Sequence, residues 1–366
     1  MATENDKGIT HKLLESLSTT RFACSSLERL GSYLGFVYRG HLRRALNTGA
    51  VTVIIKHNAG HAARMEEFQL PENRGSRESE ILLAFAQTPN PVPPFTFQNT
   101  TVRTAAIHEF RARENTLLIE DIPGSITFFQ LFTTFSLRSY FLGPSRSSLG
   151  LSLGAWLGTF HSSTLDRTDL PRIVASNETV RRLIWEYNER NLRQNIEAYP
   201  DVLKTDEPRV RAAVEAELKR TDGGDTGITH GDFHVMNVLL SSGLFSSTIV
   251  PVDWESCHFG CQTLDVAQMI SNLYVVDRLG GINGPRNVMH GFIDGYHETR
   301  RLDKDLVWHT VVCVGVLILC TPYTMVLPGR DVREILQAGE DFLMRGLAKD
   351  RGWLETSALG ILLDKI

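Results

Sequence analysis

The spacing of apolar residues divides the chain into two parts of different texture. Between about residues 20 and 120, short apolar runs separated by glycine and asparagine predict strands. The predicted strands are 36–39, 51–56, 105–110 and 116–120. One helix interrupts these strands. It is predicted to begin at about Ser76, a capping serine, and to end at about Gln87, before Pro89.

After Pro123-Gly124 the apolar residues recur at helical spacing. The predicted helices are 149–161, 180–196, 208–219, 264–277, 306–320 and 332–345. Between the third and fourth of them, 238–240 and 248–252 predict two strands with charged flanks. A small strand-rich part followed by a larger helical part predicts an α+β chain with two lobes, joined at about residues 120–124.

The composition and net charge of the chain bear on which class of partner it can bind. The chain has 366 residues, enough to bury a sizeable core, and 42% of them are hydrophobic and 22% charged. Its 38 Lys and Arg against 42 Asp and Glu give a net charge of −4. Because this balance creates no positive field over the whole molecule, we expect no nucleic-acid partner.

The chain also lacks the sequence features of membrane and exported proteins. Its first residues are polar and form no signal peptide. The most apolar run, 311–320, is half the length of about 20 residues that a membrane span needs, so we interpret it as a buried helix. We therefore predict no membrane span and a cytoplasmic location.

The five cysteines suggest neither a disulfide framework nor a metal site. They are odd in number and scattered, which is typical of reduced thiols that pack as small hydrophobic groups. Cys257, His258 and Cys261 offer at most three zinc ligands, and no second Cys/His cluster along the sequence completes a four-ligand site.

The strongest chemical signal is a charged island between apolar runs. His230, Asp232, His234 and Asn237 fall within eight residues, and Asp253 follows at the end of the next apolar run. Buried polar groups need partners or a use. An aspartate can accept a hydroxyl proton, and Asn and Asp oxygens suit Mg²⁺, so the pattern predicts a phosphoryl-transfer site.

These motifs resemble a known family. His230-Gly231-Asp232-x-His234-x-x-Asn237, followed by Val252-Asp253-Trp254-Glu255, is similar to the signature of the aminoglycoside phosphotransferase and choline kinase family. The resemblance implies a bilobal protein-kinase-like fold, with a nucleotide-binding lobe at 1–119, an antiparallel sheet and one key helix within it, a hinge at 120–124 and a helical lobe at 125–366.

The same resemblance implies roles for individual residues. Asp232 is the implied catalytic base, and Asn237 and Asp253 are the implied ligands of Mg²⁺, with ATP as the second cofactor. His230 is expected to brace the loop and Asp265 to be structural.

A kinase-like site also needs a lysine on a strand and a glutamate on a helix. Lys56 ends the apolar strand Val51–Ile55 and is the predicted phosphate-binding lysine. For its partner, Glu78 and Glu80 compete. We favour Glu78, because it shares a helix face with the apolar residues at 81, 82 and 85.

Two further segments are predicted to contact the nucleotide. Gly31, Ser32 and Gly35 lie in the segment where the family places its phosphate-covering loop, although the spacing differs from G-x-G-x-x-G. Glu120 and Ile122 lie in the segment that resembles the hinge, where backbone groups bind adenine.

The predicted activity is transfer of the γ-phosphoryl group of ATP to a hydroxyl of a small molecule, such as an amino alcohol, a sugar or a secondary metabolite. Glu255, Tyr274 and Asp277 are candidates for binding a cationic amine on that acceptor. The alternative is a nucleotide-binding pseudokinase with a binding or regulatory role, which the altered glycine-rich loop keeps open. A protein kinase is a third reading, disfavoured by the His-Gly-Asp form and by the lack of Asp-Phe-Gly.

Overall fold

We describe the fold from a computed structural model of the chain. The described residues are 4–31, 35–63, 65–69, 71, 73–87, 92–134, 145–165, 174, 178–203, 207–220, 225–243, 245–282, 284–327 and 329–366. The strands are β1 (Cys24–Arg29), β2 (Phe36–Leu42), β3 (Thr52–His57), β4 (His61–Ala62), β5 (Met65–Gln69), β6 (Phe95–Phe97), β7 (Thr100–Val102), β8 (Ile107–Arg111), β9 (Thr116–Glu120), β10 (Ile126–Thr127), β11 (Thr226–Thr229), β12 (Val238–Ser242), β13 (Ser247–Pro251) and β14 (His258–Cys261).

The α-helices are α1 (Glu4–Leu17), α2 (Arg74–Phe85), α3 (Phe128–Thr133), α4 (Arg146–Ser163), α5 (Glu178–Ala198), α6 (Pro200–Leu203), α7 (Glu207–Leu218), α8 (Thr263–Arg278), α9 (Pro285–Thr299), α10 (Lys304–Leu319), α11 (Tyr323–Val326), α12 (Arg333–Leu347) and α13 (Arg351–Thr356). Short 3-10 turns lie at Ala112–Glu114, Trp254–Ser256 and Gly360–Lys365. None of the described helices combines the length and the apolar character that crossing a membrane requires.

The first compact unit consists of Met1–Thr88 and Ala105–Gly124. Its main sheet is antiparallel throughout, in the order β1-β2-β3-β9-β8. Helix α1 contributes Leu13 and Leu17 to the core on this sheet, where they are packed with Tyr38 and Ile55. The alternation of buried and half-buried positions along β3 is what its sequence pattern predicts.

The second compact unit consists of Pro89–Thr104 and Ser125–Ile366. It holds a sheet in the order β10-β12-β13-β7-β6, the two-stranded sheet β11-β14 and helices α3 to α13. Residues 92–104 were expected in the first lobe. They belong to the second unit because β7 pairs in parallel with β13, for example Val102 with Ile249.

Helices α4 and α9 are packed with their backbones almost in contact. A Cβ atom added to Gly154 would lie 2.0 Å from the carbonyl oxygen of Phe292, and one added to Gly295 would lie 2.1 Å from that of Leu151. Glycine is therefore needed on both facing surfaces.

The predicted helices are present with shifts of a few residues at their ends. Helix α2 begins at Arg74, two residues before the predicted Ser76, whose hydroxyl instead donates to the carbonyl of Asn73. Six of the described helices were not predicted: the longer α1 and α9 and the short α3, α6, α11 and α13. The mixed α+β class, with an antiparallel sheet in the first unit and mainly helices in the second, is as predicted.

Candidate active site

The charged island of the sequence forms a loop between β11 and β12. Its side chains alternate in exposure, since Phe233 and Val235 are buried while Asp232, His234 and Asn237 are half-buried. The ring of Phe233 lies 6.4 Å from that of Trp156 in α4. The apolar residues therefore anchor the loop in the core and leave the polar ones partly accessible.

The backbone before Asp232 is held by a buried carboxylate. The two oxygens of Asp265 accept hydrogen bonds from the backbone N–H groups of His230, at 2.7 Å, and Gly231, at 3.0 Å. Gly231 has a φ of 79°, and a Cβ atom there would lie 2.2 Å from the carbonyl oxygen of Ser256. Glycine is thus required at this turn, which fixes the direction in which Asp232 leaves the chain.

Asp265 contacts the buried ring of His161, which in turn contacts the buried Tyr296. His161 Nε2 lies 3.1 Å from Asp265 Oδ2, and His161 Nδ1 lies 3.0 Å from the hydroxyl oxygen of Tyr296. Burial lowers the pKa of His161, so the neutral ring donates to the carboxylate and accepts from the tyrosine. Burial acts to raise the pKa of Asp265, but its hydrogen bonds from His161 and His230 outweigh that effect and lower it.

Both carboxylate oxygens of Asp232 have polar partners. Oδ2 accepts a hydrogen bond from Asn237 Nδ2 at 2.9 Å, and Oδ1 accepts one from Gln268 Nε2 at 3.2 Å. His234 Nε2 lies 3.2 Å from the same Oδ1 atom. Burial acts to raise the pKa of Asp232, but the charge and hydrogen bond of His234 outweigh it and lower the pKa to about 2.

His230 is buried and braces the loop. Its Nδ1 accepts the backbone N–H of Asp232 at 3.3 Å, and its Nε2 donates to the carbonyl of Val252 at 3.1 Å. Its ring lies 4.4 Å from the ring of Trp254. Burial lowers the pKa of His230, so these contacts are made by the neutral ring.

Asn237 and Asp253 lie at adjoining ends of β12 and β13. The N–H of Val252 donates to the carbonyl of Asn237 at 2.9 Å, one position beyond the paired Val238 and Pro251. Both side-chain hydrogen bonds of Asn237 use its amide nitrogen, so neither uses its amide oxygen. Asp253 has a φ of 72°, a left-handed conformation that is costly for a residue with a Cβ atom and is concentrated at functional sites.

In the first unit, Lys56 and Glu78 form a buried ion pair. Lys56 Nζ lies 2.5 Å from Glu78 Oε2, and the two side chains are 12% and 2% exposed. Lys56 is on β3, in register with Leu117 of β9, and Glu78 is on the inward face of α2. Glu80, the competing candidate, is exposed.

The other predicted nucleotide contacts are less defined. Ser32 lies outside the described residues. Gly31 is exposed, and the carbonyl of Gly35 accepts a hydrogen bond from the guanidinium of Arg29 at 3.0 Å. The backbone N–H of Glu120 already donates a hydrogen bond to the carbonyl of Ala106, at 2.8 Å. The side chain of Ile122 is buried, with 7% of its surface exposed.

The candidate acceptor residues have partners of their own. Asp277 Oδ2 lies 2.9 Å from Arg286 Nη2. Tyr274 is packed edge-on against Phe342, with ring centroids 5.4 Å apart, in a groove of about 710 Å³ that Trp353 also lines. Glu255 is half-buried in the turn Trp254–Ser256.

Sequence reasoning missed three residues of this network. Gln268 follows Asp265 by three residues on α8, so both face the loop, and this i,i+3 spacing is a signal from which Gln268 could have been found. No comparable signal marks His161 and Tyr296, because they are 135 residues apart and meet only through the packing of α4 on α9.

Comparison with known proteins identifies the class of this constellation. The model of the phosphotransferase enzyme family, APH, matches residues 117–304, which include the loop, Asp253 and α8. The chain is also 28% identical over 369 residues to phosphotransferase FrzJ from Cladobotryum sp., covering 95% of this chain and 94% of that protein.

Solved structures show the same fold at low sequence identity. A glucosamine kinase in complex with glucosamine, ADP and inorganic phosphate has a TM-score of 0.54 at 16% identity, covering 97% of this chain and 89% of that one. The amicoumacin kinase hAmiN, in complex with AMP-PNP, Ca²⁺ and Ami, has a TM-score of 0.52 at 15% identity, covering 94% and 96%.

These findings confirm the predicted kinase-like α+β fold and the predicted enzyme class, a small-molecule phosphotransferase. The family model spans more than half of the chain, from the last strand of the first unit to the start of α10. The chain belongs to the phosphotransferase enzyme family.

Proposed function

We propose that this enzyme is a kinase that uses ATP and Mg²⁺ to phosphorylate a hydroxyl group of a small molecule. The observation that carries the proposal is the carboxylate of Asp232, which is ionised, bonded at both oxygens and attached to a loop that Asp265 anchors. A carboxylate held in this way can accept a hydrogen bond from a substrate hydroxyl without reorienting.

Asp232 is proposed to act in two stages. With a pKa of about 2 it is a weak base, so it does not remove a proton from a free alcohol. The hydroxyl becomes acidic as its oxygen bonds to phosphorus, and in a loose transition state this occurs late. Asp232 therefore orients the hydroxyl first and receives its proton as the new bond forms.

Lys56 is proposed to bind the phosphates of the nucleotide. Glu78 holds the ammonium group at the inner surface of the sheet and limits the positions that it can take. This arrangement matches the strand lysine and helix glutamate that kinases use for the same purpose.

Asn237 and Asp253 are proposed to hold Mg²⁺. The amide oxygen of Asn237 and the carboxylate of Asp253 are hard oxygen donors, and they lie at adjoining strand ends, so the pair fits this ion. When bound, the ion would neutralise negative charge on the phosphate oxygens. Asn237 also donates to Asp232, so it links the proposed metal ligands to the proposed base.

The acceptor is proposed to be a small hydroxyl compound such as an amino alcohol, a sugar or a secondary metabolite. The family relationship supports this class, and the relatives include a kinase solved with the amino sugar glucosamine. A panel of amino alcohols, amino sugars, neutral sugars and aminoglycosides is the corresponding screen, with ATP consumption as the readout.

The Asp232→Asn variant tests the proposal. We expect its kcat on any accepted substrate to fall about 10²- to 10⁴-fold, which is the usual contribution of a positioned general base. The ATP-induced thermal shift should persist, because the change leaves Lys56 and Glu78 intact. The exposed Asp364→Asn variant serves as the control and should keep wild-type turnover.

Two results would contradict the proposal. Turnover by Asp232→Asn at the wild-type rate would remove Asp232 from the chemistry. An ATP-induced thermal shift of the wild-type enzyme without ATP consumption across the panel would instead support the alternative of a nucleotide-binding pseudokinase.

A further inference from the structure

A second cluster of ionisable side chains lies inside the second unit, and none of its members belongs to the loop that carries Asp232. We call it the core cluster, and it consists of two groups that share His309: Asp225, Cys261 and His309, and Glu217, His309 and Cys313. They come from α7, the residue before β11, the end of β14 and two positions of α10. Asp225, Cys261, His309 and Cys313 are buried, and the side chain of Glu217 is 12% exposed.

Three atoms of the core cluster form a small triangle. Asp225 Oδ2 lies 3.1 Å from Cys261 Sγ and 3.3 Å from His309 Nδ1, and all three ligand atoms are within 4.8 Å of one another. Zn²⁺ with bonds of about 2.0 to 2.3 Å in a tetrahedron keeps its ligand atoms about 3.5 Å apart. The triangle is therefore already close to the size of one face of a zinc site.

The fourth ligand atom is the thiol of Cys313. It lies within 4.8 Å of a ring nitrogen of His309 and of a carboxylate oxygen of Glu217. His309 and Cys313 are four residues apart on α10, so they project from one face of the helix, one turn apart. A pair of ligands at this spacing is a common way for a helix to chelate a metal.

Glu217 contacts the ring nitrogen of His309 that faces away from Asp225. Its Oε2 lies 2.9 Å from His309 Nε2, on the far side of the ring from Asp225. A histidine that binds a metal through one nitrogen usually donates its other N–H to a carboxylate, which fixes the tautomer and the ring orientation.

The sulfur atoms favour a metal over a simple hydrogen-bond network. Asp225 and His309 can form an ion pair without help, and Thr263 already donates to Asp225 Oδ2 at 2.5 Å. Thiols are weak hydrogen-bond donors, so two of them add little to such a network. As thiolates they are among the preferred ligands of Zn²⁺.

We propose that the core cluster binds one structural Zn²⁺ ion. The four proposed ligands are Asp225 Oδ2, Cys261 Sγ, His309 Nδ1 and Cys313 Sγ. Glu217 orients the histidine, and binding displaces the protons of the two thiols and any proton on Nδ1 into solvent. The ion would join the start of β11 and the end of β14 to α10, and β11 is the strand that leads to the loop with Asp232.

The test is the metal content of the full chain, purified without chelators from zinc-supplemented medium. We expect about one zinc per chain in the wild type and at least about tenfold less in Cys313→Ser. Cys320→Ser is the matched control, because Cys320 is a buried thiol at the end of the same helix but outside the core cluster. It should keep the wild-type zinc content.

A milder variant guards against misfolding as an explanation. Glu217→Gln keeps all four ligands and should weaken zinc affinity about 10- to 100-fold, measured by competition with a chromogenic chelator. Replacement of zinc by Co²⁺ should give thiolate-to-cobalt absorption in the wild type and in Cys320→Ser. A folded wild-type chain without bound zinc and without that absorption, or with equal zinc in Cys313→Ser, would overturn the proposal.

Discussion

Burial separates Glu78 from Glu80, although a single residue lies between them in the chain. The helical repeat turns Glu78 towards the sheet, where its side chain is 2% exposed against Lys56, and turns Glu80 to solvent. An exposed glutamate contributes little to positioning a partner, whereas a buried charged hydrogen bond contributes about 1.5 to 3 kcal/mol.

This difference predicts unequal effects of the same chemical change. Glu78→Gln should lower kcat/KM for ATP about 10- to 100-fold, because Lys56 loses its charged partner. Glu80→Gln should leave kcat/KM unchanged. Steady-state kinetics with ATP as the varied substrate measures both, and equal effects of the two variants would contradict the role of Glu78.

Asp265 illustrates how a buried carboxylate can shape a site without touching substrate. It accepts two backbone N–H groups and faces His161, and these partners hold its pKa below the ordinary value. A lowered pKa stabilises the folded state above the unfolded pKa of about 3.9, and that contribution is lost as the pH falls through the lower folded pKa.

Asp265→Asn should therefore destabilise the protein in a pH-dependent way. An asparagine can present one oxygen but not two, so one backbone N–H is left unpaired and the loss is about 3 kcal/mol near neutral pH. The difference in melting temperature from the wild type should be constant from pH 5 to 7 and should shrink below about pH 4. A difference that grows towards acid would contradict this assignment.

At the scale of elements, α4 and α9 are paired by glycine rather than by large apolar side chains. Gly154 and Gly295 let the two backbones come into contact, and this contact brings His161 close to Tyr296. The helix pair thus connects the packing of the second unit to the network behind Asp265.

Gly154→Ala should be destabilising even though alanine is the better helix former. The added Cβ would lie 2.0 Å from the carbonyl oxygen of Phe292, so the helices must separate at a cost of about 2 kcal/mol, or about 4 °C in melting temperature. Gly8→Ala in α1 is the matched control, because no atom lies within 4 Å of its added Cβ. It should be neutral or stabilising.

At the scale of the whole molecule, the chain passes between the two units three times, at residues 88–89, 104–105 and 124–125. Residues 92–104 supply β7, which lies between β13 and β6 in the sheet of the second unit. A continuous fragment that begins at 125 therefore lacks the strand that covers β13.

The fragment 125–366 should aggregate, because β13 becomes an edge strand. Ile249 and its neighbours, which are buried in the whole chain, then lose their pairing with β7. The same fragment preceded by residues 92–104 and a short glycine-rich linker restores this strand and should give more soluble protein with a sharper thermal transition. Equal soluble yield and equal melting of the two fragments would show that β7 is dispensable.

Much of the fold and of the candidate site follows from local sequence. The alternation along β3 and the helical periodicity of α12 predict those elements because side-chain spacing follows backbone geometry. The order of Asp232, Asn237 and Asp253 around apolar runs predicts a phosphoryl-transfer site, since these side chains supply a proton acceptor and two hard oxygen ligands.

The tertiary structure decided what depends on residues far apart in the chain. Helix α9 was not predicted, because its glycines and histidines disrupt the apolar pattern, and they make sense only against α4. The contact of His161 with Asp265, the cover of β13 by β7 and the meeting of Cys261 with His309 also arise from packing. The hydrophobic periodicity of an element indicates which of its faces is buried, but the tertiary structure determines which other element packs against that face.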